Sequence, residues 1–164
     1  RNAAHPEIEA NGVEVHSRQL SSNRTEQCTI HVRKNAMIRV FQNLFNNSAQ
    51  QIGLLGILPR AIRTDTSIKS RKDGSGIEKE MLCVDVIDTG PGLHWADRER
   101  IFEPKFTTRP AGSGMGLHIV REEVQSIGGY AEVAEAILGL GTKMRVWLPL
   151  ADSKGKKEGD LVNV

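Results

Sequence analysis

Aromatic residues are scarce in this sequence, and its positive and negative charges nearly balance. Aromatic residues make up 4% of the 164 residues, too few to predict a stacking platform for single-stranded nucleic acid. The 22 lysines and arginines face 20 acidic residues, which gives a net charge of +2 and no excess from which to build a basic stripe. We therefore expect no nucleic-acid partner.

Cysteines are also few, and long apolar runs are missing. The two cysteines, Cys28 and Cys83, lie in apolar strand-like segments rather than in the dense pattern of a disulfide-stabilised secreted domain. No run approaches the ~20 apolar residues of a membrane span, and residues 1–10 lack the apolar core of a signal peptide. We expect buried free thiols and a cytoplasmic domain without membrane contact, either complete or cut from a longer sensor that a membrane anchors.

The chain length fits one domain with a hydrophobic core. Residues 1–12 are polar and predict a linker remnant. Residues 13–150 alternate between apolar-periodic segments and turn residues, which predicts a folded domain. Residues 151–164 are charged and contain glycine, which predicts a disordered tail.

Two helices are expected from apolar residues that recur at steps of three and four. The first spans residues 35–53 and takes Asn35 as its cap. The second spans residues 114–127, and Gly128 and Gly129 end it. A shorter amphipathic stretch covers residues 95–102.

Apolar alternation predicts strands around these helices. The predicted strands are residues 13–16, 28–32, 61–71, 77–88, 130–136 and 143–148. The third and fourth flank residues 73–76, Asp-Gly-Ser-Gly, a strong hairpin signal. The pattern as a whole predicts a mixed β-sheet with helices packed on one face.

A carboxylate follows the most apolar strand, in the segment Asp88-Thr89-Gly90-Pro91-Gly92. Such a carboxylate can accept a hydrogen bond from the exocyclic amine of adenine, and glycines let the backbone approach the base. Two alternatives stay open at this point. Asp88 could form an Asx turn that ends the strand, or Asp-Thr-Gly could be the signature of an aspartic protease that dimerises to supply a second carboxylate.

Three alternating glycines, Gly112, Gly114 and Gly116, precede the second helix. Free N–H groups at a helix start favour an anion such as phosphate. The spacing differs from the Rossmann fingerprint, and no Gly-Lys-Ser/Thr follows to make a P-loop. A flexible hinge is the alternative interpretation.

Asparagines Asn43 and Asn47 lie four residues apart in the first helix and share a face. Asparagine is a poor mid-helix residue, and its amide oxygen is a hard ligand that suits Mg²⁺. We interpret Asn46 as pointing elsewhere, on a solvated helix edge. The same solvated edge is the alternative for Asn47.

Between Pro104 and Pro110, Lys105 and Arg109 flank two threonines. Their cations could reach terminal phosphates from a mobile flap. The alternative is an ordinary surface loop, and we expect Phe102 and Phe106 to be tucked into the core. The five histidines are scattered without metal-ligand spacing.

The order of these motifs carries more weight than any one of them. The asparagine helix, Asp-x-Gly-x-Gly, the Phe-containing loop and Gly-x-Gly-x-Gly-Leu together resemble the ATP-binding catalytic domain of sensor histidine kinases. That superfamily also contains gyrase, the heat-shock chaperone ATPases and the mismatch-repair ATPases. The resemblance runs from about Val13 to Leu150 and implies a Bergerat-type α/β two-layer sandwich.

The resemblance also implies cofactors, partners and residue roles. ATP and Mg²⁺ would be the cofactors, and the partners would be a histidine-containing dimerisation domain and a response regulator receiver domain of a two-component system. Asn47 would hold Mg²⁺, and Asp88 would read the adenine amine with Thr142 beside it. The residues expected to bind ATP are Asn43, Asn47, Asp88, Gly90, Gly92, Lys105, Phe106, Thr108, Arg109, Gly112, Gly114, Met115, Gly116, Leu117 and Thr142.

The sequence departs from the family pattern at Ser48, where alanine is usual, and in a short lid between Phe106 and Gly112. Gyrase-like members place a general-base Glu one turn before the metal Asn, where this chain has Asn43. An amide cannot take a proton near pH 7. The resemblance therefore implies transfer of the γ-phosphate to a histidine rather than rapid hydrolysis, with no base in this chain.

The phosphoacceptor histidine should lie on a separate helical hairpin, because nothing before Val13 could form one. Two alternatives remain. The chain could be an ATP-dependent conformational switch with little transfer chemistry, or, more remotely, the dimeric aspartic protease.

Overall fold

A computed structural model describes residues 14–19, 28–55, 60–72, 75–109, 112–151 and 161–163. The predicted linker, residues 1–12, lies outside these ranges. In chain order the elements are β1 (Glu14–Gln19), β2 (Thr29–His31), α1 (Lys34–Leu55), β3 (Ala61–Lys72), β4 (Glu78–Asp88), two 3₁₀ turns (Trp95–Asp97 and Arg100–Phe102), α2 (Gly116–Ser126), β5 (Tyr130–Ile137), β6 (Gly141–Pro149) and β7 (Leu161–Asn163).

The main sheet has five strands in the order β1-β3-β4-β6-β5. β1 runs parallel to β3, and the remaining neighbours are antiparallel. A separate two-stranded sheet joins β2 to β7. The predicted mixed sheet is therefore confirmed, with β4 at its centre because its apolar run can be buried on both sides.

The core lies between the sheet and the two described helices. Alternate residues of β4, namely Leu82, Val84 and Val86, pack with the apolar stripes of α1 and α2. Leu44 of α1 and Val120 of α2 are almost completely buried there. This packing confirms the prediction of a sheet with helices on one face, and it fixes where α1 and the start of α2 lie relative to the end of β4.

Helix α1 begins and ends outside its predicted bounds. It starts at Lys34 and continues through Gly53 to Leu55, and its buried stripe ends at Ile52. Asn35 lies inside the first turn, so the prediction that it caps the helix is wrong. The backbone carbonyl of Arg33 accepts from the amides of Ala36 and Met37 instead.

Helix α2 starts two residues later than predicted, at Gly116. Gly114 has φ +65°, and a Cβ there would lie 2.4 Å from the carbonyl carbon of Lys105. Gly114 therefore lies in a tight turn against the preceding loop, where only glycine fits. The predicted end is confirmed, since the amides of Gly128 and Gly129 donate to the last carbonyls of the helix.

Strand bounds differ from prediction by a few residues, and residues 95–102 form 3₁₀ turns. The predicted β3–β4 pairing is confirmed up to Lys72 opposite Glu78, while Asp73 and Gly74 lie outside the described residues. Within the segment predicted as a tail, Leu161–Asn163 pair with β2. Both cysteines are buried and neither forms a disulfide, as predicted.

The sheet face opposite the helices carries a smaller packed layer. Met81, Cys83 and Trp147 are buried there, with Tyr130 packed against them. Beside this cluster, the Arg145 guanidinium donates from Nε and Nη2 to the two carboxylate oxygens of Asp85, at 2.7 and 2.8 Å. A two-pronged ion pair thus lies on the face away from the helices.

Candidate functional site

An open cleft of about 970 Å³ lies where the end of β4 meets α1 and the start of α2. Its size falls within the ~300–1,000 Å³ of small-molecule sites. One part of the lining surrounds Asp88 and Thr142; we call it the Asp88 end. The other surrounds Gly112, Gly114 and Gly116; we call it the glycine-loop end.

Asp88 is the last residue of β4, and its side chain is held by three donors. Oδ1 accepts from the backbone amides of Gly90 and Thr142, at 2.9 and 3.2 Å. Oδ2 accepts from the hydroxyl of Ser48 on α1, at 3.0 Å. The carboxylate therefore has a fixed orientation at the floor of the cleft.

Burial raises the pKa of the Asp88 carboxyl above its ordinary value of 3.8, and the hydrogen bonds from Gly90, Ser48 and Thr142 oppose that rise. Only 5% of the residue is exposed. Among the described residues, no lysine or arginine forms an ion pair with it. A buried carboxylate without a cation is costly unless further donors reach it, so the Asp88 end suits a ligand that offers N–H groups.

Strand β6 brings Thr142 to Asp88, because the two residues are paired in the β4–β6 ladder. The neighbouring Gly141 makes this approach possible. Its φ is +124°, and a Cβ there would lie 1.9 Å from the carbonyl oxygen of Asp88. Any larger residue would push the strands apart at the floor of the cleft.

Helix α1 lines the cleft with a row of amide side chains: Asn43, Asn46, Asn47 and Gln50. These positions follow steps of three and four, so they share one face. The interpretation that Asn46 points elsewhere is wrong. Its Oδ1 is buried and has no hydrogen-bond partner among the described residues, which is unfavourable unless a ligand, ion or water meets it.

Asn43 stands where α1 meets α2. Its Nδ2 donates to the carbonyl of Arg39 at 2.9 Å. Its Oδ1 lies 3.1 Å from the position that a Cβ on Gly116 would take. The amide is thus fixed between the helix and the glycine-loop end, and it cannot serve as a base.

The loop between β4 and α2 lies over the glycine-loop end. The Arg109 guanidinium donates to the amide oxygen of Gln50, and Phe106 and Thr108 line the cleft beside it. No carboxylate among the described residues pairs with Arg109. An arginine held in a cleft without an acidic partner suits a bound anion.

The lining contains most of the residues predicted to bind ATP. Those found in it are Asn43, Asn47, Asp88, Gly92, Phe106, Thr108, Arg109, Gly112, Gly114, Gly116, Leu117 and Thr142. Phe106 therefore faces the cleft, so the expectation that it packs into the core is wrong, whereas Phe102 is buried as expected.

Three predicted residues lie outside the lining. Gly90 contributes indirectly, because its backbone amide donates to Oδ1 of Asp88. Lys105 is exposed and has φ +67°, a left-handed conformation that is strained for lysine. Met115 precedes α2, and its amide donates to the hydroxyl of Ser113.

Sequence reasoning missed several cleft residues, including Gln50, Leu93 and His94. Gln50 continues the spacing of Asn43 and Asn47, so the helical period could have found it. Leu93 and His94 lie in an irregular segment, where periodicity gives no signal.

The cleft contains two carboxylates among the described residues, Asp88 and Asp97. Asp97 is salt-bridged to Arg100 at 2.9 Å, and Asp88 accepts its three hydrogen bonds at the other end. Neither is free to activate a water molecule at the glycine-loop end.

Within the described part of the chain, no helix is both long and apolar enough to cross a membrane.

Comparisons with known proteins agree with this geometry. The sensor histidine kinase ZraS of Escherichia coli O157:H7 is 31% identical over 75% of this chain and 24% of its own length. The sensor histidine kinase CpxA of Escherichia coli K12 is 34% identical over 64% of this chain and 24% of its own length. The chain thus spans about a quarter of the length of these relatives.

A solved structure of full-length ShkA in complex with AMPPNP matches with a TM-score of 0.68 and 25% identity, over 90% of this chain and 28% of that one. The family described as "Histidine kinase-, DNA gyrase B-, and HSP90-like ATPase" matches residues 32–152, which include both ends of the cleft. The resemblance stated from the motifs is confirmed, and the aspartic protease alternative is wrong. The chain belongs to the family of histidine kinase-, DNA gyrase B- and HSP90-like ATPases.

Proposed function

We propose that this chain binds Mg-ATP in the cleft and donates the γ-phosphate to a histidine on a separate dimerisation domain. The observation that carries the proposal is Asp88, a buried carboxylate that forms no ion pair with a lysine or arginine in the described part of the chain. It is fixed at one end of a cleft whose other end presents glycines and Arg109. Its free acceptor capacity suits the adenine amine. The glycine-loop end suits the phosphates.

The residues of α1 fit a magnesium ion. Asn43, Asn46 and Asn47 bring amide oxygens to the cleft, and the Asn46 Oδ1 is buried without a partner among the described residues. Amide oxygens are ligands that Mg²⁺ accepts alongside phosphate oxygens and water. We propose Asn47 as the residue that holds the ion, which would neutralise phosphate charge when bound.

Transfer to a histidine fits this cleft better than hydrolysis. In the reaction, the acceptor nitrogen forms a bond to the γ-phosphorus while the bond to the β–γ bridging oxygen breaks, which leaves ADP. Asn43 cannot accept a proton, and neither cleft carboxylate is free to do so at the glycine-loop end. The chain therefore supplies positioning and charge stabilisation.

The relatives named sensor histidine kinase support the same reaction. We propose that a longer parent protein carries the dimerisation domain, that a response regulator receiver domain takes the phosphate afterwards, and that the domain lies on the cytoplasmic side, where ATP is available.

The test mixes this chain with a histidine-containing dimerisation domain, Mg²⁺ and ATP labelled at the γ-phosphate. We expect acid-labile, alkali-stable label on the dimerisation domain, and none when its acceptor histidine is replaced by alanine. An Asp88→Asn chain should give no label. If ATP binds but no label transfers, the conformational-switch alternative replaces phosphotransfer.

A further inference from the structure

We propose that Ser48 is a positioning residue for base recognition, which holds Oδ2 of Asp88 so that one acceptor direction remains for the amine of the base. This inference rests on the proposed function, because it takes adenine as the ligand of Asp88. It concerns a residue that lies outside the cleft lining and acts through another side chain.

Ser48 is completely buried on α1. A serine within a helix commonly donates to the carbonyl four residues before it. Here the hydroxyl instead donates to Oδ2 of Asp88 at 3.0 Å, across 40 residues of sequence. The contact ties α1 to the end of β4 at the floor of the cleft.

The number of lone pairs on the Asp88 carboxylate shows what the contact with Ser48 does. A carboxylate has about four lone-pair directions. The amides of Gly90 and Thr142 take both at Oδ1, and the Ser48 hydroxyl takes one at Oδ2. One direction at Oδ2 remains, which matches one N–H of an exocyclic amine.

Removal of the hydroxyl has two predictable consequences. Oδ2 would gain a second open direction while the amides of Gly90 and Thr142 still held Oδ1, so the preference of the carboxylate for a single amine geometry would weaken. The ionised carboxylate would also lose a donor while it stayed buried, so the pKa of Asp88 would rise further. Binding of the amine needs the ionised form, and affinity should therefore fail at a higher pH.

Other ionisable groups near the cleft must be kept apart from this effect. The remaining ionisable lining residues are His94, Asp97 and Arg109. Asp97 is paired with Arg100, and Arg109 contacts Gln50. From α1, β6 and the loop after β4, the groups bonded to the Asp88 carboxylate are neutral, so a residue-specific titration of Asp88 isolates the contribution of Ser48.

The experiment compares the full 164-residue chain with Ser48→Ala and Ser48→Cys. Cysteine fills the space of serine, but its thiol is a weak donor, so it separates the lost hydrogen bond from a cavity effect. The Asp88 carboxyl carbon is titrated by NMR without nucleotide. The affinity for a non-hydrolysable ATP analogue with Mg²⁺ is then measured by calorimetry across the same pH range.

We expect the pKa of Asp88 to rise by about one unit in Ser48→Ala and nearly as much in Ser48→Cys. The pH at which affinity is half lost should rise by the same amount. If one variant fails to fold, the other carries the test. An unchanged Asp88 titration in a folded variant, or restoration of the wild-type titration by cysteine, would overturn the inference and leave the proposed function standing.

The opposite pattern is distinguishable. If the pKa of Asp88 moves as expected but the wild-type chain binds no nucleotide at any pH, the proposed function fails. The role of Ser48 in base recognition then fails with it.

Discussion

Asp85 and Asp88 lie three residues apart on β4, and each is 5% exposed, but they face opposite sides of the sheet and meet different partners. Asp85 faces away from the helices, where Arg145 grips both of its oxygens. Asp88 faces the helices and the cleft, and the donors that hold it among the described residues are all neutral. Side chains alternate between the two faces of a sheet along a strand, so residues three apart face opposite sides.

The pKa values of the two carboxyls move in opposite directions. Burial acts to raise the pKa of Asp85, but the hydrogen bonds and charge of Arg145, with the charge of Lys69, outweigh burial and lower it. At Asp88 burial prevails, and the pKa is raised. One carboxylate stabilises the fold, whereas the other remains available to a ligand at a cost to the fold.

The largest expected effect comes from Asp88→Asn. The new amide N–H₂ group would meet the adenine amine donor to donor, so affinity for Mg-ATP should fall by about 100-fold or more. The fold should be kept, since the remaining oxygen retains the amides of Gly90 and Thr142 and the Ser48 hydroxyl can turn to accept. Calorimetric titration and urea unfolding measure the two quantities, and undiminished affinity would contradict the adenine role.

The same substitution at Asp85 should give the reverse result. Asp85→Asn leaves Arg145 without its carboxylate, and the free energy of unfolding should drop by about 2–3 kcal/mol, less than for a fully buried pair because Arg145 is partly exposed. Affinity for Mg-ATP should stay within about threefold of the wild type, since Asp85 lies on the other face. A large loss of affinity with little loss of stability would contradict the assignment of Asp85 to the fold rather than to the cleft.

A smaller effect is expected from Arg145→Lys. The charge is kept, but the two-pronged grip on Asp85 and the contact of the guanidinium with the Trp147 ring, 5.5 Å from its centroid, are lost. Stability should fall by about 1–2 kcal/mol, as thermal or urea unfolding would show. Nucleotide affinity serves as the internal control and should not change.

The smallest effect is in the pH dependence of stability. A raised pKa means that ionised Asp88 opposes folding at neutral pH and that stability is regained as the pH falls through the raised pKa. The lowered pKa of Asp85 means that its contribution is present above 3.8 and is lost only below that value. As the pH falls from 7 to 4.5 the wild type should therefore gain stability relative to Asp88→Asn, which has no carboxyl to protonate.

The matched variant supplies the contrast. Over the same pH interval the stability deficit of Asp85→Asn should stay constant, because Asp85 remains ionised throughout. Urea unfolding at the two pH values gives the free energy of unfolding of the wild type and of both variants. If the stability difference from the wild type changed with pH in the same way for both variants, the pKa values of the two carboxyls would not be shifted in opposite directions.

Much of this arrangement could be predicted from local sequence patterns. The 3.6-residue period located both helices, and the apolar run before Asp88 placed that residue at the end of a central strand. The glycine run before α2 pointed to the glycine-loop end. These signals work because each depends on neighbouring residues along the chain.

Contacts between distant residues could not be predicted in the same way. Ser48 and Asp88 are 40 residues apart, and Asp85 and Arg145 are 60 apart. Nothing in the local sequence shows which of the two aspartates meets the arginine, since the register between strands decides it. Asn46 was misassigned because the cleft covers more of α1 than the single stripe of Asn43 and Asn47.

The most direct test is a crystal structure of this chain with Mg²⁺ and a non-hydrolysable ATP analogue. We expect the exocyclic amine of adenine at about 2.7–3.2 Å from Oδ2 of Asp88, with the phosphates beside Gly112, Gly114 and Gly116. An analogue bound elsewhere, or a base in the cleft whose amine points away from Asp88, would contradict this expectation.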